Sequence, residues 1–296
     1  MSRPSTVLIT GAGSGLGLET CLRLSAAGRH VTGSVLDGRE AALLGQEAGR
    51  RGVRVNVIEM DVCREDRVRA AVNAVARDAD IEALVHFAGI GLRGFIEDLD
   101  LDEVRRVFDV NFFGAMAVTQ AVLPHMRKAG SGRIVLTTSV AGRMGSMSIG
   151  GYAASKFAVE GFGECLAAEV RPFHIYVSML EPGLVFTPHF TVGRNRARRA
   201  VEPSSPYYEW FCQHEKIVDD ILRRNRVVPA DVAAAVLRIL TARRPRLRYV
   251  VGRNAKLILN LRRYLPGETF DAVYGPILRR MVTRPRFRAT GLSQPP

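Results

Sequence analysis

The sequence predicts an α/β fold in which seven parallel strands form one doubly wound sheet with helices on both faces. Short runs rich in Val, Ile and Leu recur along the chain with little alternation, which is typical of strands buried on both faces. The stretches between them, roughly 12 to 25 residues long, can hold crossover helices. The predicted strands are residues 7–10, 31–36, 53–60, 83–87, 133–138, 175–180 and 249–251.

The 296-residue chain is expected to form one domain with a C-terminal helical extension. Its composition, 47% hydrophobic and 24% charged, is ordinary for a globular protein. No internal repeat or low-complexity linker divides it. We assign residues 1–252 to the main domain, including an insertion at about 187–228 that covers the site, and residues 253–296 to a basic amphipathic extension.

The N-terminus and the cysteines predict the cellular compartment. The first strand begins too early to leave space for a signal peptide, and no stretch reaches the roughly 18 apolar residues of a membrane-spanning helix. The four cysteines are far apart and lack the spacing of a metal site. We therefore expect a cytoplasmic protein with reduced thiols and no metal centre. These cysteines are Cys21, Cys63, Cys165 and Cys212.

Positive charge is concentrated in the last third of the chain. Residues 1–189 contain 20 Lys and Arg against 21 Asp and Glu, whereas residues 190–296 contain 22 against 8. Such asymmetry can indicate an anionic membrane, nucleic acid or acidic substrates, and a solvated Arg-rich surface explains it equally well. No interleaved aromatics or nucleic-acid-binding motif accompany the charge, so we do not expect a nucleic-acid partner.

A glycine-rich turn, TGAGSGLG, occupies residues 10–17 between the first strand and a helical stretch. Its glycines allow a tight turn and a close approach to a pyrophosphate, which then lies against the N-terminus of the helix. A tight structural turn explains many isolated matches, but strand before and helix after favour nucleotide binding. The residues assigned to binding here are Gly11, Ser14, Gly15, Leu16 and Gly17.

A second constellation places Tyr152 and Lys156 one turn apart on a predicted helix, with Ser139 at the end of the fifth strand. A free tyrosine, with a pKa of about 10, is a poor base at neutral pH, and a nearby ammonium can stabilise its phenolate. Ser139 can donate to a substrate oxygen as that oxygen becomes alkoxide-like. A lone pair of this kind is usually a surface feature, but in combination with the glycine turn it predicts catalysis.

On these motifs, the chain from residue 7 to about 187 resembles the short-chain dehydrogenase/reductase family, which has a Rossmann-like fold. The family's TGxxxGxG motif falls on residues 10–17, and its catalytic Asn, Ser, Tyr and Lys fall on Asn111, Ser139, Tyr152 and Lys156. The resemblance implies that Asn111 kinks its helix and holds a water that passes protons to Lys156. It also implies an oxidoreductase that uses NAD or NADP on CH–OH groups.

The resemblance further implies which residues contact the coenzyme beyond the glycine turn. Asp61, after the third strand, is placed to meet the adenine, although a helix N-cap is an equal alternative. The family's Pro-Gly turn falls on Pro182 and Gly183, followed by residues for the nicotinamide carboxamide. The implied contacts are Leu36, Asp37, Asp61, Val62, Ala88, Gly89, Tyr152, Lys156, Pro182, Gly183, Val185 and Thr187.

Two departures from the family pattern concern His86 and the end of the second strand. His86-Phe87 stands where the family usually has Asn-Asn, and we favour a buried hydrogen-bonding histidine over a proton relay.

An acidic residue after the second strand selects NAD, whereas an arginine pairs with the phosphate of NADP. Leu36 occupies the usual arginine position, Asp37 follows it, and Arg39 can still reach a phosphate, so the sequence leans towards NAD.

Two segments, 181–183 and 240–249, resemble the retinol dehydrogenase and 17β-hydroxysteroid dehydrogenase branch. Apolar residues in the loops at the carboxyl edge of the sheet predict a pocket for a steroid, retinoid or other lipid-like alcohol or ketone. Core packing is the alternative explanation for some of them. The apolar residues concerned are Ile90, Leu92, Phe95, Met144, Met147, Phe186 and Phe190. The predicted substrate contacts are Ser139, Met144, Met147, Tyr152 and Phe190.

The C-terminal extension contains two predicted amphipathic helices with basic edges. We favour packing onto the pocket or onto a second subunit of a homodimer or homotetramer, with a membrane surface as the alternative. A nucleotide-binding regulatory protein without turnover is the rival function, because fold alone does not establish chemistry. The apolar residues of the two helices are Leu257, Leu261, Tyr264, Leu265, Val273, Ile277, Leu278 and Met281.

Overall fold

The computed structural model describes residues 3–186, 195–224 and 227–283, and it confirms the predicted doubly wound sheet. All seven strands are parallel, in the order β3-β2-β1-β4-β5-β6-β7. Because the order reverses between β1 and β4, a crevice opens there at the carboxyl edge of the sheet. The strands are β1 (Ser5–Thr10), β2 (Val31–Val35), β3 (Asn56–Glu59), β4 (Asp80–His86), β5 (Gly132–Thr137), β6 (Ile175–Pro182) and β7 (Arg248–Val251).

Helices cover both faces of the sheet and enclose two hydrophobic cores. On one face α1, α2 and α8 pack against the strands, and on the other α3, α5 and α6 do so. The helices are α1 (Gly15–Ala26), α2 (Gly38–Arg50), α3 (Glu65–Asp78), α4 (Leu101–Phe108), α5 (Gly114–Ala129), α6 (Gly150–Val170), α7 (Tyr208–Arg224), α8 (Pro229–Thr241), α9 (Arg253–Tyr264) and α10 (Gly267–Thr283).

The strand boundaries differ from the sequence prediction mainly at three strands. β3 is shorter than predicted, and because it lies at the edge of the sheet most of its residues remain exposed. β4 begins three residues earlier, at Asp80, where it pairs with Ser5 of β1. β6 continues to Pro182, which pairs with Val251 of β7. The apolar patterns therefore identified the centres of the strands and missed the ends of β4 and β6, which only pairing with the neighbouring strand fixes.

The helix before β5 contains one turn of π-helix, Asp109–Phe113, between α4 and α5. Such a turn inserts one residue into the helical ladder and often occurs at functional sites. Among the described residues, the joined helix Leu101–Ala129 is also the one stretch long and apolar enough to cross a membrane by length and composition. Val118, Val122 and Met126 on it are fully buried in a core of the domain, which accounts for its apolar character.

The described part of the insertion forms a third, smaller core over the loop that follows β4. Phe211 of α7 packs there with Leu92 and Val107, together with Ala197 and Ala200. Leu92, one of the residues expected at the pocket, therefore lies in this core. The bounds of the insertion, about 187–228, stay a prediction, since residues 187–194 and 225–226 lie outside the described residues.

The C-terminal helices α9 and α10 leave most of their apolar residues exposed. α10 packs on α7, and Phe270 and Ala255 are buried. In contrast, Leu257 is 61% exposed and Tyr264 is 76% exposed. Within the described residues, these apolar side chains are therefore not covered by the chain itself, and the expected packing onto the pocket or onto a second subunit stays a prediction. The exposed apolar residues of the two helices are Leu257, Leu261, Tyr264, Leu265, Val273 and Ile277.

Replacing Phe211 by alanine tests the third core. The Phe211 side chain is 2% exposed, so Phe211→Ala should lower the free energy of unfolding of the region by about 3 to 5 kcal/mol. Its neighbour Trp210 is 45% exposed and serves as the matched control, because Trp210→Ala removes much less buried area. Calorimetric Tm values and hydrogen exchange of α7 measure the difference. Equal losses in the two variants would contradict this core.

Candidate active site

The glycine-rich turn between β1 and α1 lies against the end of β4. Gly11 has a φ of 65°, and a Cβ added there would lie 2.8 Å from the Ala88 nitrogen. A Cβ added at Gly17 would lie 2.0 Å from the Gly11 oxygen. Ser14 is the N-cap of α1 and is exposed, with no side-chain hydrogen bond to the helix. The first turn of α1 can therefore offer its backbone N–H groups to an anion.

The end of β2 carries two carboxylates, and sequence reasoning identified only one of them. Asp37 is the N-cap of α2, since its Oδ1 accepts a hydrogen bond from the Glu40 nitrogen at 2.9 Å. The Glu40 carboxylate accepts from the Leu36 nitrogen at 2.8 Å. It also lies against the glycine turn, because a Cβ added at Gly13 would be 2.4 Å from Glu40 Oε2. The spacing Asp37-x-x-Glu40 is that of a capping box and could have indicated it.

The Asp61-Val62 pair follows β3 near the predicted adenine position. Asp61 is not the N-cap of α3, which begins after Arg64; its Oδ1 instead accepts a hydrogen bond from the Cys63 nitrogen at 3.0 Å. Val62 is buried against Gly114, where an added Cβ would lie 2.8 Å from it. Any contact that this pair makes with a ligand would therefore come chiefly from Asp61 and from the backbone.

Asn111 lies in the π-helical turn and is buried. Its Oδ1 accepts from the Ile90 nitrogen at 2.8 Å, and its Nδ2 donates to the Ile90 oxygen at 2.9 Å and to Ser155 Oγ at 3.0 Å. A Cβ added at Gly89 would lie 3.1 Å from Asn111 Oδ1 and 3.6 Å from Lys156 Nζ. The wider π turn therefore positions an amide between the β4 loop and the helix that carries Lys156.

Tyr152, Lys156 and Ser139 meet at the carboxyl edge, as the spacing predicted. Lys156 is buried, its Nζ donates to the Thr137 oxygen at 2.9 Å, and it lies 5.8 Å from the centre of the Tyr152 ring. Ser139 lies two residues after β5 and caps a 3₁₀ turn, since Ala141 N donates to its Oγ at 3.1 Å. Three residues that are separated in the sequence thus form one group of neighbouring side chains.

Burial controls the ionisation of this group. It lowers the pKa of Lys156 to about 8. It raises the pKa of Tyr152, and a hydrogen bond with Ser139 offsets this rise in part. At neutral pH, Tyr152 is therefore a protonated phenol and Lys156 is largely an ammonium. Such a pair is suited to donating a proton to a carbonyl oxygen rather than to holding a free phenolate.

His86 is a buried structural histidine, the interpretation that the sequence favoured. Its Nδ1 shares a hydrogen bond of 2.9 Å with Thr10 Oγ1, which also accepts from the Ala88 nitrogen at 3.2 Å. Burial, followed by the charge of Lys156, lowers the pKa of His86 to about 3. The ring is therefore neutral at physiological pH, and its hydrogen bond to Thr10 braces β1 against β4.

The Pro182-Gly183 turn ends β6 beside the start of α9. The Gly183 nitrogen donates to the Val251 oxygen at 3.0 Å, and a Cβ added at Gly183 would lie 3.0 Å from the Ala255 Cβ. Val185 is buried in a main core, so only its backbone can face the site. Thr187, the other residue expected here, lies outside the described residues.

The residues expected to contact substrate are only partly described. Met144 is buried and Met147 is partly buried, both on the segment between Ser139 and Tyr152. Phe190 lies outside the described residues. Sequence reasoning missed a buried polar cluster beside them, in which His214 Nδ1 contacts Ser148 Oγ at 2.8 Å and Arg93 Nη2 at 3.3 Å. Isolated polar residues in different segments gave no signal for it.

The backbone cradle fits a dinucleotide. Neighbouring backbone occupies the spaces that Cβ atoms at Gly11 and Gly17 would fill, so only glycine allows the tight turn that brings the N-terminus of α1 to the crevice. The exposed N-cap at Ser14 and the buried ammonium of Lys156 provide complementary charge for phosphate and ribose hydroxyl groups. Within residues 3–186, 195–224 and 227–283, no cluster of three or more potential metal ligands occurs, and all four cysteines are free.

Comparisons with known proteins agree with this geometry. Residues 5–197 match the family model described as short chain dehydrogenase. The chain is 34% identical to retinol dehydrogenase 8 of Bos taurus over 255 residues, covering 83% of this chain and 80% of that protein. It is 36% identical to 3-ketodihydrosphingosine reductase of Bacteroides thetaiotaomicron, with coverages of 84% and 88%. It is 32% identical to human 17-beta-hydroxysteroid dehydrogenase type 1, with coverages of 87% and 80%.

Solved structures show the same fold. A short-chain dehydrogenase from Streptomyces avermitilis superposes with a TM-score of 0.75 at 28% identity, covering 94% of this chain and 97% of that one. A family member from Burkholderia phymatum in complex with NAD superposes with a TM-score of 0.76 at 23% identity, covering 99% of both chains. The glycine cradle, the Ser139, Tyr152 and Lys156 group and these matches show that the chain belongs to the short-chain dehydrogenase/reductase family of NAD(P)-dependent oxidoreductases.

Proposed function

We propose that this protein interconverts an alcohol and a carbonyl on an apolar substrate, using Asn111, Ser139, Tyr152 and Lys156. The observation that carries the proposal is the convergence of these side chains at the carboxyl edge of the sheet, beside the glycine turn. A nucleotide-binding regulator without turnover would not require this convergence. A screen of lipid-like alcohols and ketones with both coenzymes, followed by nicotinamide absorbance, tests it.

The nicotinamide coenzyme, when bound, supplies or accepts the hydride. Tyr152 donates its phenolic proton to the substrate oxygen during carbonyl reduction, because burial keeps it protonated. Ser139 donates a hydrogen bond to the same oxygen as negative charge develops there. Lys156 provides a positive charge near the Tyr152 ring, and Asn111 holds the loop at Ile90 against the helix of Lys156. In the oxidative direction the same groups act in reverse.

The proposed substrate is a steroid, a retinoid or another lipid-like molecule. Met144 and Met147 give the segment before Tyr152 an apolar character, and Phe190, which lies outside the described residues, is predicted from the sequence to line the same pocket. The names of the relatives above refer to a retinol, a ketone derived from a long-chain base and a hydroxysteroid, which share large apolar bodies. That chemistry supports the substrate class but not a particular member.

We further propose that NAD is preferred over NADP, as the carboxylates at the end of β2 suggest. Asp37 and Glu40 both lie there, and Leu36 provides no positive charge for the phosphate of NADP. Negative charge at this place favours the ribose diol of NAD and repels a phosphate. Arg39, two residues after Asp37, is the positively charged residue that would oppose this preference.

Peripheral membrane contact through α9 and α10 is the last part of the proposal. The exposed apolar residues of these helices are interspersed with Arg253, Lys256, Arg262 and Arg263. α9 follows β7 and therefore begins at the edge of the sheet that carries Tyr152. The sequence predicts a cytoplasmic location. With α9 and α10 against an anionic leaflet, the enzyme would take apolar substrates from that leaflet. The homodimer or homotetramer stays a prediction.

Tyr152→Phe tests the proton donor. The variant loses the transferable proton and little else, so turnover should fall by a factor of about 100 or more while coenzyme affinity stays near wild type. Lys156→Ala should weaken both, because it removes the buried ammonium from the site. Steady-state rates and fluorescence titration of the reduced coenzyme measure the two effects. Tyr152→Phe activity within tenfold of wild type would exclude this mechanism.

Asp37→Asn tests coenzyme choice without removing the helix cap. Asparagine still caps α2, so any change in coenzyme affinity reports the lost charge rather than a frayed helix. We expect NAD to bind more weakly to Asp37→Asn and NADP more tightly to Leu36→Arg. Glu40→Gln tells whether the second carboxylate contributes. Wild-type protein that binds NADP about tenfold more tightly than NAD would show that the preference is wrong.

Vesicle co-sedimentation tests the membrane contact. Each Lys or Arg near an anionic surface adds about 1 kcal/mol, so binding to phosphatidylserine vesicles should be strong at low salt and fall steeply as salt rises. A Leu257→Ser and Leu261→Ser double variant should bind more weakly. Phe173, which is similarly exposed but precedes β6 at the opposite edge, provides the control Phe173→Ser. Wild-type protein that stays in the supernatant at low salt contradicts the contact.

A further inference from the structure

An ion network centred on two buried carboxylates lies one helical turn beyond Lys156. It joins Glu160 and Glu164 of α6, Glu181 at the end of β6, Arg248 of β7 and Arg143, which follows the 3₁₀ turn capped by Ser139. None of these residues was predicted to act in the site. Since each comes from a segment that carries or adjoins a site residue, the network connects the parts of the site.

Glu181 is the centre of the network. Its side chain is fully buried, and its Oε1 accepts from Arg143 Nη1 at 3.0 Å and lies 3.2 Å from Arg248 Nε. Arg248 Nε also donates to Glu160 Oε2 at 3.0 Å, and the same guanidinium pairs with Glu164. One carboxylate oxygen thus contacts both arginines, so β6, β7 and α6 are held by shared charges rather than by separate pairs.

The network also fixes the turn after Ser139. A Cβ added at Gly142 would lie 2.9 Å from the Lys156 oxygen and 3.2 Å from Glu160 Cγ, so the turn packs directly on the helix between these two residues. Arg143 then leaves the turn and reaches Glu181. A shift of Glu181 would therefore act on the Ser139 turn, on the Tyr152 helix and on the adjacent Pro182-Gly183 turn together.

The charges of the network do not balance. Three carboxylates face two guanidinium groups, and within the described part of the chain Glu181 Oε2 and Glu160 Oε1 have no hydrogen-bond partner. Burial, followed by the charge of Glu160, raises the pKa of Glu181. A core that only needed stability would be served as well by apolar side chains of similar volume. The free-energy cost of burying unbalanced carboxylates therefore indicates that the network supplies a fixed geometry.

We propose that Glu181 is a positioning residue that acts through Arg143 and Arg248. It sets the relative placement of three parts of the site, which are Ser139, the helix of Tyr152 and Lys156, and the Pro182-Gly183 turn. This role rests on the proposed function. A displacement of reacting groups of the order of 1 Å can lower a rate by about a hundredfold, so loss of the network should slow the chemical step more than it weakens binding.

Glu181→Gln and Arg143→Gln test the proposal. Glu181→Gln keeps the side-chain volume, Arg143→Gln shortens a partly exposed side chain, and each removes one charge of the shared contact. The single-turnover rate constant for carbonyl reduction should fall about tenfold to a hundredfold in each, while the Kd of the reduced coenzyme stays within about threefold. Because both act on one contact, the double variant should be little slower than either single one. Arg143→Lys, which keeps the charge, should recover most of the rate.

Glu82→Gln is the control for loss of an ion pair. Glu82 pairs with Arg29 at 3.0 Å and joins β4 to the end of α1 near the opposite edge of the sheet. The control should lower Tm without changing the single-turnover rate constant. If Glu82→Gln slows the reaction as much as Glu181→Gln does, or if both Glu181→Gln and Arg143→Gln react within twofold of wild type, the positioning role is overturned.

Folding failure of one variant does not obscure the result. Should Glu181→Gln fail to fold, the single-turnover rate of Arg143→Gln tests the positioning role. The Arg143 side chain is 36% exposed, and its replacement buries no new charge. An inactive wild type, indistinguishable from Tyr152→Phe, overturns the proposed function and the positioning role with it. An active wild type with unaffected network variants overturns the positioning role alone.

Discussion

The close approach of two backbone segments, the glycine turn after β1 and the end of β4, is the constraint on which the site depends. No side chain fits at Gly11 or Gly17, because neighbouring backbone atoms occupy the space where each Cβ would lie. The hydrogen bonds of Thr10 to His86 and to the Ala88 nitrogen hold the same two strand ends together. With this contact fixed, the N-terminus of α1 and the loop at Gly89 face one crevice, where the strand order reverses.

The catalytic helix is positioned against that crevice from the other side. Asn111 connects the loop at Ile90 to Ser155, and Lys156 connects α6 to the end of β5 through the Thr137 oxygen. Each contact joins a side chain to backbone or to a second side chain across elements far apart in sequence. The result is a site whose groups are fixed by the sheet edge rather than by their own loops, as preorganised hydrogen-bond donors require.

Most of the sheet and the main site residues could be predicted from the sequence, because both depend on local patterns. Buried parallel strands produce apolar runs, and a glycine turn or a tyrosine and lysine four residues apart has a defined geometry. The polar ends of β4 and β6 could not be predicted, since only pairing fixes them. The capping-box spacing could have indicated Glu40, but not its approach to Gly13. The Glu181 network could not be predicted either, because its side chains meet only after the segments pack. For Leu92 the sequence leaves pocket and core as alternatives, because a loop residue next to a site carries no sign of a separate core.

The separate core beneath α7 has a consequence for how stability is distributed. Its apolar residues form a cluster distinct from the two that enclose the sheet. A region with its own small core can open at a lower free energy than the whole domain, as a cooperative unit. Changes in the packing around Phe211 can therefore alter the local stability of this region, while the melting of the sheet stays under separate selection. Local opening and heat resistance would then be independent traits of one chain.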